Sequence, residues 1–592
     1  MKFPMLTEIQ STRQMVDVFG GYNHNLRIND GEFYDMKNLT SSHYPALSPR
    51  GQRGTYVSVE NPLGMIAKDA LCYVDGSDFV INEYRVPMGL TIDEEPKTLI
   101  SMGAYVIILP DKKWVNTAPK DGEEAFEHGN IDVSLTITDG LIGLCDREGR
   151  AYGGAISSGV RPDEPKDGDK YISYDDDDYP TAVYQYYETN SMWSPIDTYV
   201  YFITEERTFD VFEVGDSVVF SGITTKGIDA LNGKPVIIEG KTKNRFGEVT
   251  LWVKGICDVG TQRNEAEITV ERKMPDMDFV IESGNRLWGC KYGISNDGQM
   301  VNEIYASKLG DFKNWQNFAG ISTDSYVASV GTDGQFTGAI NHLGYPVFFK
   351  ENCMHKVYGK YPAQYQVQTT ICRGVQKGCE RSLAIVNEVL YYKARSGVCA
   401  FDGSLPTEVS AAFGDVNYHN AVAGSLGNKY YISMSDDNEQ WNLFVYDSLK
   451  GMWHREDETQ ATCFCNCRGD LYYIDYADKQ IKTVRGTGVT ETKPLKWEAV
   501  TGIIGTDSPD KKYISRIDVR MMLQVGARVM FFAEYDSSGE WKHLCSADGV
   551  NLKTFAVPVK TMRHDHMRLK IVGTGEARIF SICKTVEQGS DC

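Results

Sequence analysis

The sequence predicts an all-β fold: a β-propeller with an inserted small β domain and a C-terminal β-sandwich that is jelly-roll-like. Apolar residues at helical spacing are almost absent from the 592 residues. Short apolar or alternating runs recur instead between Gly, Asn and Asp turn residues, which is the pattern of strands. Tyr and Phe, which favour strands, occur 34 and 24 times.

Repeated pairs of short strands predict the propeller. Each unit contains a turn, an aromatic-rich strand, a polar turn and a second strand, as in Gly344–Lys350 followed by Met354–Gly359. Seven units are present, and their first strands begin at Asp69, Gly103, Gly284, Gly344, Asn387, Gly427 and Gly469. The downstream units recur about every 40–60 residues, as propeller blades do. A lone hairpin cannot bury its apolar face, whereas a closed ring can; unrelated hairpins packed in sandwiches are the alternative.

The same patterns divide the chain into five predicted segments. They are an N-terminal strap (1–60), the first propeller blades (61–120), the inserted β domain (121–275), the remaining blades (276–490) and the C-terminal β-sandwich (491–592). The insertion is predicted to open with the acidic Asp121–Glu124 and to hold three alternating runs, Val214–Gly222, Pro235–Gly240 and Glu248–Val253. Six alternating runs within about 80 residues predict the C-terminal sandwich.

Composition disfavours two classes of partner. The chain has 61 basic and 81 acidic residues, a net charge of −20. Tight binding to nucleic acid or to an anionic membrane needs Lys and Arg. No apolar run approaches the roughly 18 residues of a membrane helix, and the start lacks the apolar stretch of a signal peptide. We therefore expect synthesis in the cytoplasm, no membrane insertion and, for the 14 Cys, reduced core thiols.

Two patterns offer possible metal ligands. Cys463, Cys465 and Cys467 share one face of a predicted strand. Thiolates along one strand diverge, and no second Cys or His pair accompanies them, so buried thiols are the favoured interpretation. His564 and His566 flank Asp565 and are expected to face one side of a strand, but no third ligand is identifiable.

Two acidic patterns have equally plain structural interpretations. Asp175–Asp178 offers oxygen ligands for Ca²⁺ but lacks the Gly and the spaced acidic residue of an EF-hand, so a solvated loop is favoured. Asp536–Trp541 resembles the aspartate box of sialidases and also fits a hairpin turn. Carboxylate pairs of glycosidases come from distant positions and cannot be located this way. The sequence therefore assigns no catalytic, cofactor-binding or metal-binding residue and predicts no cofactor.

Several further motifs carry a resemblance to a known family. The N-terminal ones are Phe19–Asn23, Ile28–Phe33, Met36–Leu39 and Tyr44–Gly51, and the central ones are Gly284–Trp288, Ile304–Trp315, Val347–Asn352 and Gly397–Gly403. They resemble the tail hub, nozzle or stabilisation proteins of bacteriophages, over residues 19–51 and 284–403. In that family such segments are propeller strands, and the ring commonly forms a hexameric tube end below the portal.

The resemblance implies a structural virion protein of the phage tail that is not an enzyme. Such a chain would form part of the DNA-exit conduit and a platform for fibres or spikes. The implied partners are copies of itself in a ring, with six expected, the portal or adaptor, and tail fibre or spike proteins; genomic DNA would pass without sticking to an acidic lumen. The alternative is a carbohydrate-binding or glycoside-hydrolysing propeller, which an exposed pocket with two carboxylates about 5–9 Å apart would favour.

Overall fold

The structure is a computed structural model that describes residues 11–92, 96–118, 126–138, 140–152, 156–204, 207–245, 248–295, 298–486, 489–491, 493–505, 511–549, 551–559 and 563–588. Helix in these ranges is limited to short 3₁₀ segments at Arg207–Val211, Ile228–Leu231, Pro362–Gln364, Glu380–Ser382 and Ala411–Phe413. None of these segments has the length and apolar character needed to cross a membrane. The prediction of an all-β fold is confirmed.

The N-terminal segment contributes short strands to sheets that later parts of the chain build. These strands are β1 (Ser11–Val16), β2 (Gly21–Tyr22), β3 (Glu32–Lys37), β4 (Leu39–Thr40), β5 (Ser48–Pro49) and β6 (Gly54–Val57). Only β4 and β5 pair with each other alone. This segment therefore depends on distant partners for most of its backbone hydrogen bonds.

The next two sheets are four-stranded antiparallel meanders. Blade 1 contains β7 (Pro62–Ala67), β8 (Leu71–Asp75), β9 (Asp78–Ile81) and β10 (Tyr84–Pro87); blade 2 contains β11 (Thr98–Met102), β12 (Tyr105–Leu109), β13 (Lys113–Asn116) and β14 (His128–Asn130). Every residue of β8 is buried, because a strand inside a blade is covered on both faces and therefore has a nearly continuous apolar sequence.

An inserted β region separates blade 2 from blade 3. Its strands are β15 (Val133–Ile137), β16 (Leu141–Cys145), β17 (Ile156–Ser158), β18 (Lys170–Tyr174), β19 (Pro180–Tyr187), β20 (Met192–Ile196), β21 (Tyr199–Ile203), β22 (Ser217–Ser221), β23 (Pro235–Lys243), β24 (Val249–Lys254), β25 (Thr261–Arg263) and β26 (Ile268–Arg272). An eight-stranded sheet surrounds one apolar core, and β17–β20 form a smaller sheet beside it. Stacked rings of Phe202 and Phe220, with centroids 4.6 Å apart, lie in this core. The acidic Asp121–Glu124 lies outside the described residues.

Five further blades follow the insertion. Their strands are β27 (Phe279–Glu282), β28 (Leu287–Ile294), β29 (Met300–Ala306) and β30 (Tyr326–Ser329); β31 (Gly338–His342), β32 (Tyr345–Lys350), β33 (Cys353–Tyr358) and β34 (Gln366–Ile371); β35 (Ala384–Val386), β36 (Val389–Ala394), β37 (Gly397–Phe401) and β38 (Thr407–Glu408); β39 (Tyr418–Leu426), β40 (Lys429–Asp436), β41 (Trp441–Asp447) and β42 (Met452–Asp457); and β43 (Ala461–Cys467), β44 (Asp470–Asp475) and β45 (Gln480–Thr483), with β46 (Val489–Thr490) at the edge. Each blade is an antiparallel meander.

The blades close into a ring of seven across the described residues. In most cases the first strand of one blade lies beside the first strand of the next blade. Between blades 4 and 5, β31 lies beside the 3₁₀ segment Glu380–Ser382, which precedes blade 5. The ring closes where β43 of blade 7 lies beside β7 of blade 1. The fourth strand of blade 7 is β6, which pairs antiparallel with β45 on one side and with the two-residue β46 on the other. The chain thus closes the ring by placing one strand from its N-terminal side among strands from its C-terminal side. The propeller prediction is confirmed.

The C-terminal region forms a sandwich of two sheets. Its strands are β47 (Lys496–Thr501), β48 (Lys512–Leu523), β49 (Arg528–Tyr535), β50 (Lys542–Asp548), β51 (Lys553–Val557), β52 (Met567–Thr574) and β53 (Ala577–Gln588). One sheet has the order β1-β53-β48-β51, and the other contains β47-β52-β49-β50. Alternate residues such as Val519, Phe531 and Ile571 are buried between the two sheets, as in a β-sandwich.

β2 and β3, which we call the N-terminal bridge, join the propeller to this sandwich. β2 pairs with β42 of blade 6, and β3 pairs with β47, so a single ten-stranded sheet runs from β39 to β50. Gly21 has φ of 85° and lies against the carbonyl of Trp453, where a Cβ would clash. Tyr22 packs its ring 5.4 Å from that of Phe444. Backbone hydrogen bonds and ring packing together fix the two domains to each other.

A buried ion cluster lies beside the bridge. Arg53 donates to Glu456 at 2.6 Å and lies 2.9 Å from Asp457. Arg50 reaches Asp457 at 3.5 Å and Glu491 at 3.3 Å. Burial opposes the charged form of Asp457, but the charges of Arg53 and Arg50 outweigh it and lower the pKa of that carboxyl. Asp457 is therefore ionised at neutral pH, and loss of an arginine would leave part of its buried charge uncompensated.

Candidate functional site

A pocket of about 440 Å³ opens at the propeller axis, where the first strands of blades 2, 3 and 4 begin. We call it the axial pocket. Its charged lining residues are Lys112, Asp276, Asp278, Glu380 and Arg381. Loops at blade ends converge at such a position, so side chains from distant parts of the chain meet there.

Arg381 crosses the axis beside this pocket. It begins in the 3₁₀ segment before blade 5, and its guanidinium donates to the carbonyl of Thr462 in blade 7 at 3.1 Å and to the carbonyl of Pro96 before blade 2. One side chain therefore connects three blades that are not consecutive. The Arg381 side chain also lines the axial pocket.

Lys291 holds the two carboxylates of the pocket together. Its ammonium lies 2.8 Å from Asp276 and 3.1 Å from Asp278, so the two bound oxygens are at most about 6 Å apart. The hydrogen bond to Asp276, with that to Asp278, raises the pKa of Lys291 against the opposing effect of burial. Asp276 is 40% exposed and Asp278 is 26% exposed, so both can also accept hydrogen bonds from a ligand with several hydroxyl groups.

Exposed apolar side chains follow the hairpin tips of blades 4 to 6 on one face of the ring. Leu343 is 51% exposed, Leu405 59% and Leu449 71%. The tips touch one another, because Leu343 lies beside Gly403 and Asn387 donates to Asn428 and Ser448. We call Leu343, Leu405 and Leu449 the blade-tip row. Adjacent exposed apolar groups of this size mark interaction surfaces more often than single ones do.

The three closely spaced cysteines lie on β43, the first strand of blade 7. Cys467 is buried, and Cys463 and Cys465 pack with it in an apolar cluster that includes Tyr472. Burial raises the pKa of all three thiols, which opposes metal binding because thiolate is the ligand form. In the described ranges, no three His, Cys, Asp or Glu residues are arranged to hold a metal ion.

The histidine pair does not share a strand face as expected. His564 and His566 precede β52, with a bend at Asp565 between them. His564 is buried against Tyr535, with ring centroids 4.9 Å apart, while the His566 side chain is 22% exposed and bonds Ser537. The bend separates the two imidazoles because strand alternation does not apply to them.

The two acidic patterns are turns. Asp175 accepts hydrogen bonds from the backbone N–H groups of Asp177 and Tyr179 at 3.1 and 2.8 Å, which closes the hairpin between β18 and β19. The Asp536–Trp541 segment joins β49 to β50. The sequence missed the axial residues Asp276, Asp278, Lys291 and Arg381. A usable signal lay in the two aspartates, which directly precede the first strand of a blade.

Comparison with known proteins gives limited similarity. No family model and no curated protein matches the sequence. Among solved structures, an exo-β-1,3-galactanase from Phanerochaete chrysosporium has 9% identity and a TM-score of 0.20, with 52% of this chain and 94% of that chain covered. A glycoside hydrolase family 43 arabinoxylan arabinofuranohydrolase from Bacillus subtilis has 8% identity and a TM-score of 0.18, with 51% and 94% covered. A Trypanosoma rangeli sialidase has 9% identity and a TM-score of 0.18, with 90% and 95% covered.

These comparisons correct one expectation from the sequence. The sequence predicted that the chain is not an enzyme. The comparisons contradict this prediction, because the similar solved structures include glycoside hydrolases. The assignment of a propeller rests on the ring of sheets described above.

Proposed function

We propose that this chain is a building subunit of a bacteriophage tail, in a hub or nozzle ring around the DNA-exit conduit. The observation that carries the proposal is the N-terminal bridge. The motifs in residues 19–51 that resemble the tail proteins include β2 and β3, which fix the propeller and the C-terminal sandwich in one ten-stranded sheet. A subunit that transmits load needs its domains rigidly connected, and a shared sheet supplies that connection.

The blade-tip row supports assembly with further copies. Leu449 is 71% exposed and Leu405 is 59% exposed on adjacent blades of the same face. A ring interface is heterologous, so this face would pack against a different surface of the neighbouring subunit. The net charge of −20 supports passage of DNA, because few cations are available to bind phosphate.

Size in solution tests the proposal. We expect the purified full chain to form a closed ring of identical subunits by light scattering and negative-stain electron microscopy. The double variant L405D/L449D should dissociate the ring, because buried unpaired carboxylates are costly at an interface. V160D is the matched control, because Val160 is 72% exposed and belongs to the insertion and not to a blade hairpin. A chain that stays monomeric at all concentrations, alone and in the phage particle, contradicts the proposal.

A second candidate function is a carbohydrate-active propeller, and the axial pocket favours it. Asp276 and Asp278 present carboxylate oxygens within about 6 Å of one another, close to the spacing of carboxyl pairs in glycosidases. Binding or hydrolysis of a saccharide panel tests this function. We expect D276N and D278N to abolish either signal and the more distant D437N to leave it unchanged; no binding and no release of sugar by the wild type contradicts it.

A further inference from the structure

The hairpin between β49 and β50 presents a serine at its tip. Asp536 and Ser537 both have φ of 50°, which is the left-handed region that non-glycine residues seldom adopt. Two consecutive residues in this region make a tight turn that lifts the Ser537 side chain away from the sheet.

The segment before β52 is fixed against this turn. The carboxylate of Asp536 accepts the backbone N–H of Asp565 at 2.8 Å, and the N–H of Asp536 donates to the carbonyl of His566 at 3.0 Å. These bonds join two strands of one sheet at the same end, since β49 and β52 are paired neighbours. The position of His566 relative to Ser537 is therefore set by backbone contacts as well as by the side chains.

Three side chains then form a continuous hydrogen-bonded chain. Nε2 of His566 lies 2.7 Å from Oγ of Ser537, and Nδ1 of His566 lies 2.9 Å from Oδ2 of Asp565. With the proton on Nδ1, the imidazole donates to Asp565 and accepts the hydroxyl proton of Ser537. This is the atom-for-atom order of nucleophile, base and orienting carboxylate in serine acyl transferases, which are recognised by geometry and not by sequence order.

We propose that Ser537, His566 and Asp565 form a serine acyl-transfer site that cleaves carboxylic esters. Oγ of Ser537 would bond to the ester carbonyl carbon while its proton passes to Nε2 of His566. The bond from that carbon to the leaving alcohol oxygen then breaks, and the alcohol takes the proton from Nε2. Water repeats the sequence with His566 as base, releases the carboxylic acid and restores Ser537. No metal, oxidant or cofactor is consumed.

The setting of the site indicates the class of substrate. The Asp565 side chain is 53% exposed and that of His566 is 22% exposed, so the site lies on the surface. An open site suits a small acyl group that projects from a larger molecule, such as an ester-substituted polysaccharide. Water weakens electrostatic stabilisation of the oxyanion at an open site, so we expect slow turnover and a serine that is easier to trap covalently than to follow by product release.

Covalent trapping tests the proposal directly. The folded full chain is incubated with a fluorophosphonate probe, and the labelled residue is located by peptide mass spectrometry. We expect label on Ser537, and at least about tenfold less label in S537A and in H566Q, where the base is lost. S538A is the matched control, because Ser538 lies in the same turn and is not part of the hydrogen-bonded chain.

Turnover of p-nitrophenyl acetate gives an independent readout. S538A should match the wild type, and S537A should fall to the rate of a heat-denatured sample. H566Q also distinguishes catalysis from a structural role, because it preserves side-chain hydrogen bonding to Ser537 but cannot carry the proton; circular dichroism checks that the variant folds. The proposal is overturned if folded wild type takes no label, or if H566Q takes as much label as wild type. Either result leaves the proposed tail function untouched.

Discussion

Replacement of Arg53 by Met should strongly destabilise the contact between the N-terminal segment and blade 6 of the propeller. Arg53 is 4% exposed, and its guanidinium meets Glu456 at 2.6 Å and Asp457 at 2.9 Å. Loss of one partner from a buried ion pair costs about 3–5 kcal/mol, because the remaining charge stays buried and uncompensated. Arg50 still reaches both carboxylates, at 3.8 and 3.5 Å. We therefore expect the lower end of that range, about 3 kcal/mol.

Urea-induced unfolding followed by tryptophan fluorescence measures this effect, because Trp453 and Trp497 both lie in the ten-stranded sheet. K37M is the matched control on the same bridge. The Lys37–Glu458 pair is 42% and 53% exposed on its two side chains, and exposed pairs contribute about 0–1 kcal/mol. If R53M and K37M shift the free energy of unfolding equally, the reasoning about burial is wrong.

The effect of R53M should also depend on pH with a definite sign. The neighbouring arginines lower the pKa of Asp457 in the folded protein below its ordinary value, although burial alone would raise it. A lowered carboxyl pKa contributes stability that is fully present above the unfolded-state pKa, about 3.9, and is lost as the pH falls through the folded-state value. The difference between wild type and R53M should therefore shrink below about pH 4; a constant difference across this range refutes the argument.

Three further predictions concern the core, a buried histidine and the axis. G573A places a Cβ against the indole of buried Trp497 and should cost about 1–3 kcal/mol by thermal melting, whereas G51A, at an open position, should stay within about 0.5 kcal/mol. Burial lowers the pKa of His454 to about 3. The neutral imidazole therefore contributes its full stability above the ordinary pKa of about 6.5, and this contribution is lost as the pH falls towards the folded-state pKa. H454Q should therefore reduce the change of melting temperature between about pH 6 and 4. R381A leaves the carbonyls of blades 2 and 7 without their donor, should cost about 1–3 kcal/mol, and should raise hydrogen exchange at the starts of β11 and β43. A flat pH profile in wild type, or unchanged exchange in R381A, contradicts the respective argument.

The sequence predicted those parts of the fold that local patterns encode. The run from Gly469 to Ile474, for example, predicts a strand after a turn, and it contains most of β44. Alternating apolar and polar residues and turn residues are local patterns, so a single sequence shows them. The role of β6 was not predictable, because its four residues pair with β45 more than 400 positions later, and a pairing between two short segments that far apart has no local signature.

The candidate site was less predictable than the fold for the same reason. Asp276 and Asp278 stand before blade 3, Lys291 is in β28 and Arg381 precedes blade 5. The β27–β28 hairpin brings Asp276, Asp278 and Lys291 together. Arg381 reaches the same pocket because the closed ring places blade ends around one axis. The serine site was partly predictable from the sequence. His566 and Ser537 each belonged to a pattern visible in the sequence, but only the pairing of β49 with β52 places them together.

Buried cations explain a further difference between sequence and structure. Lys350 and Lys393 stand at or near the ends of aromatic strands, where a charged residue normally indicates exposure, yet they are 2% and 3% exposed. Their ammonium groups donate to the carbonyls of Thr332 and Ala394 at 2.7 and 2.6 Å. Burial lowers the pKa of both lysines, and the carbonyls they bind would otherwise be unsatisfied in the interior.

The buried cations of this molecule bind two kinds of acceptor. Inside the blades, cations such as Lys393 and Arg286 bind backbone carbonyls, which do not titrate. Beside the N-terminal bridge, Arg53 binds carboxylates, which do. Acid protonates the carboxylate of Asp457 but leaves the carbonyl acceptors unchanged. Protonation of Asp457 removes one charged acceptor of Arg53, and protonation of Asp111 does the same for Lys97 in blade 2. Acid should therefore weaken both carboxylate contacts and leave the carbonyl-bound cations in place.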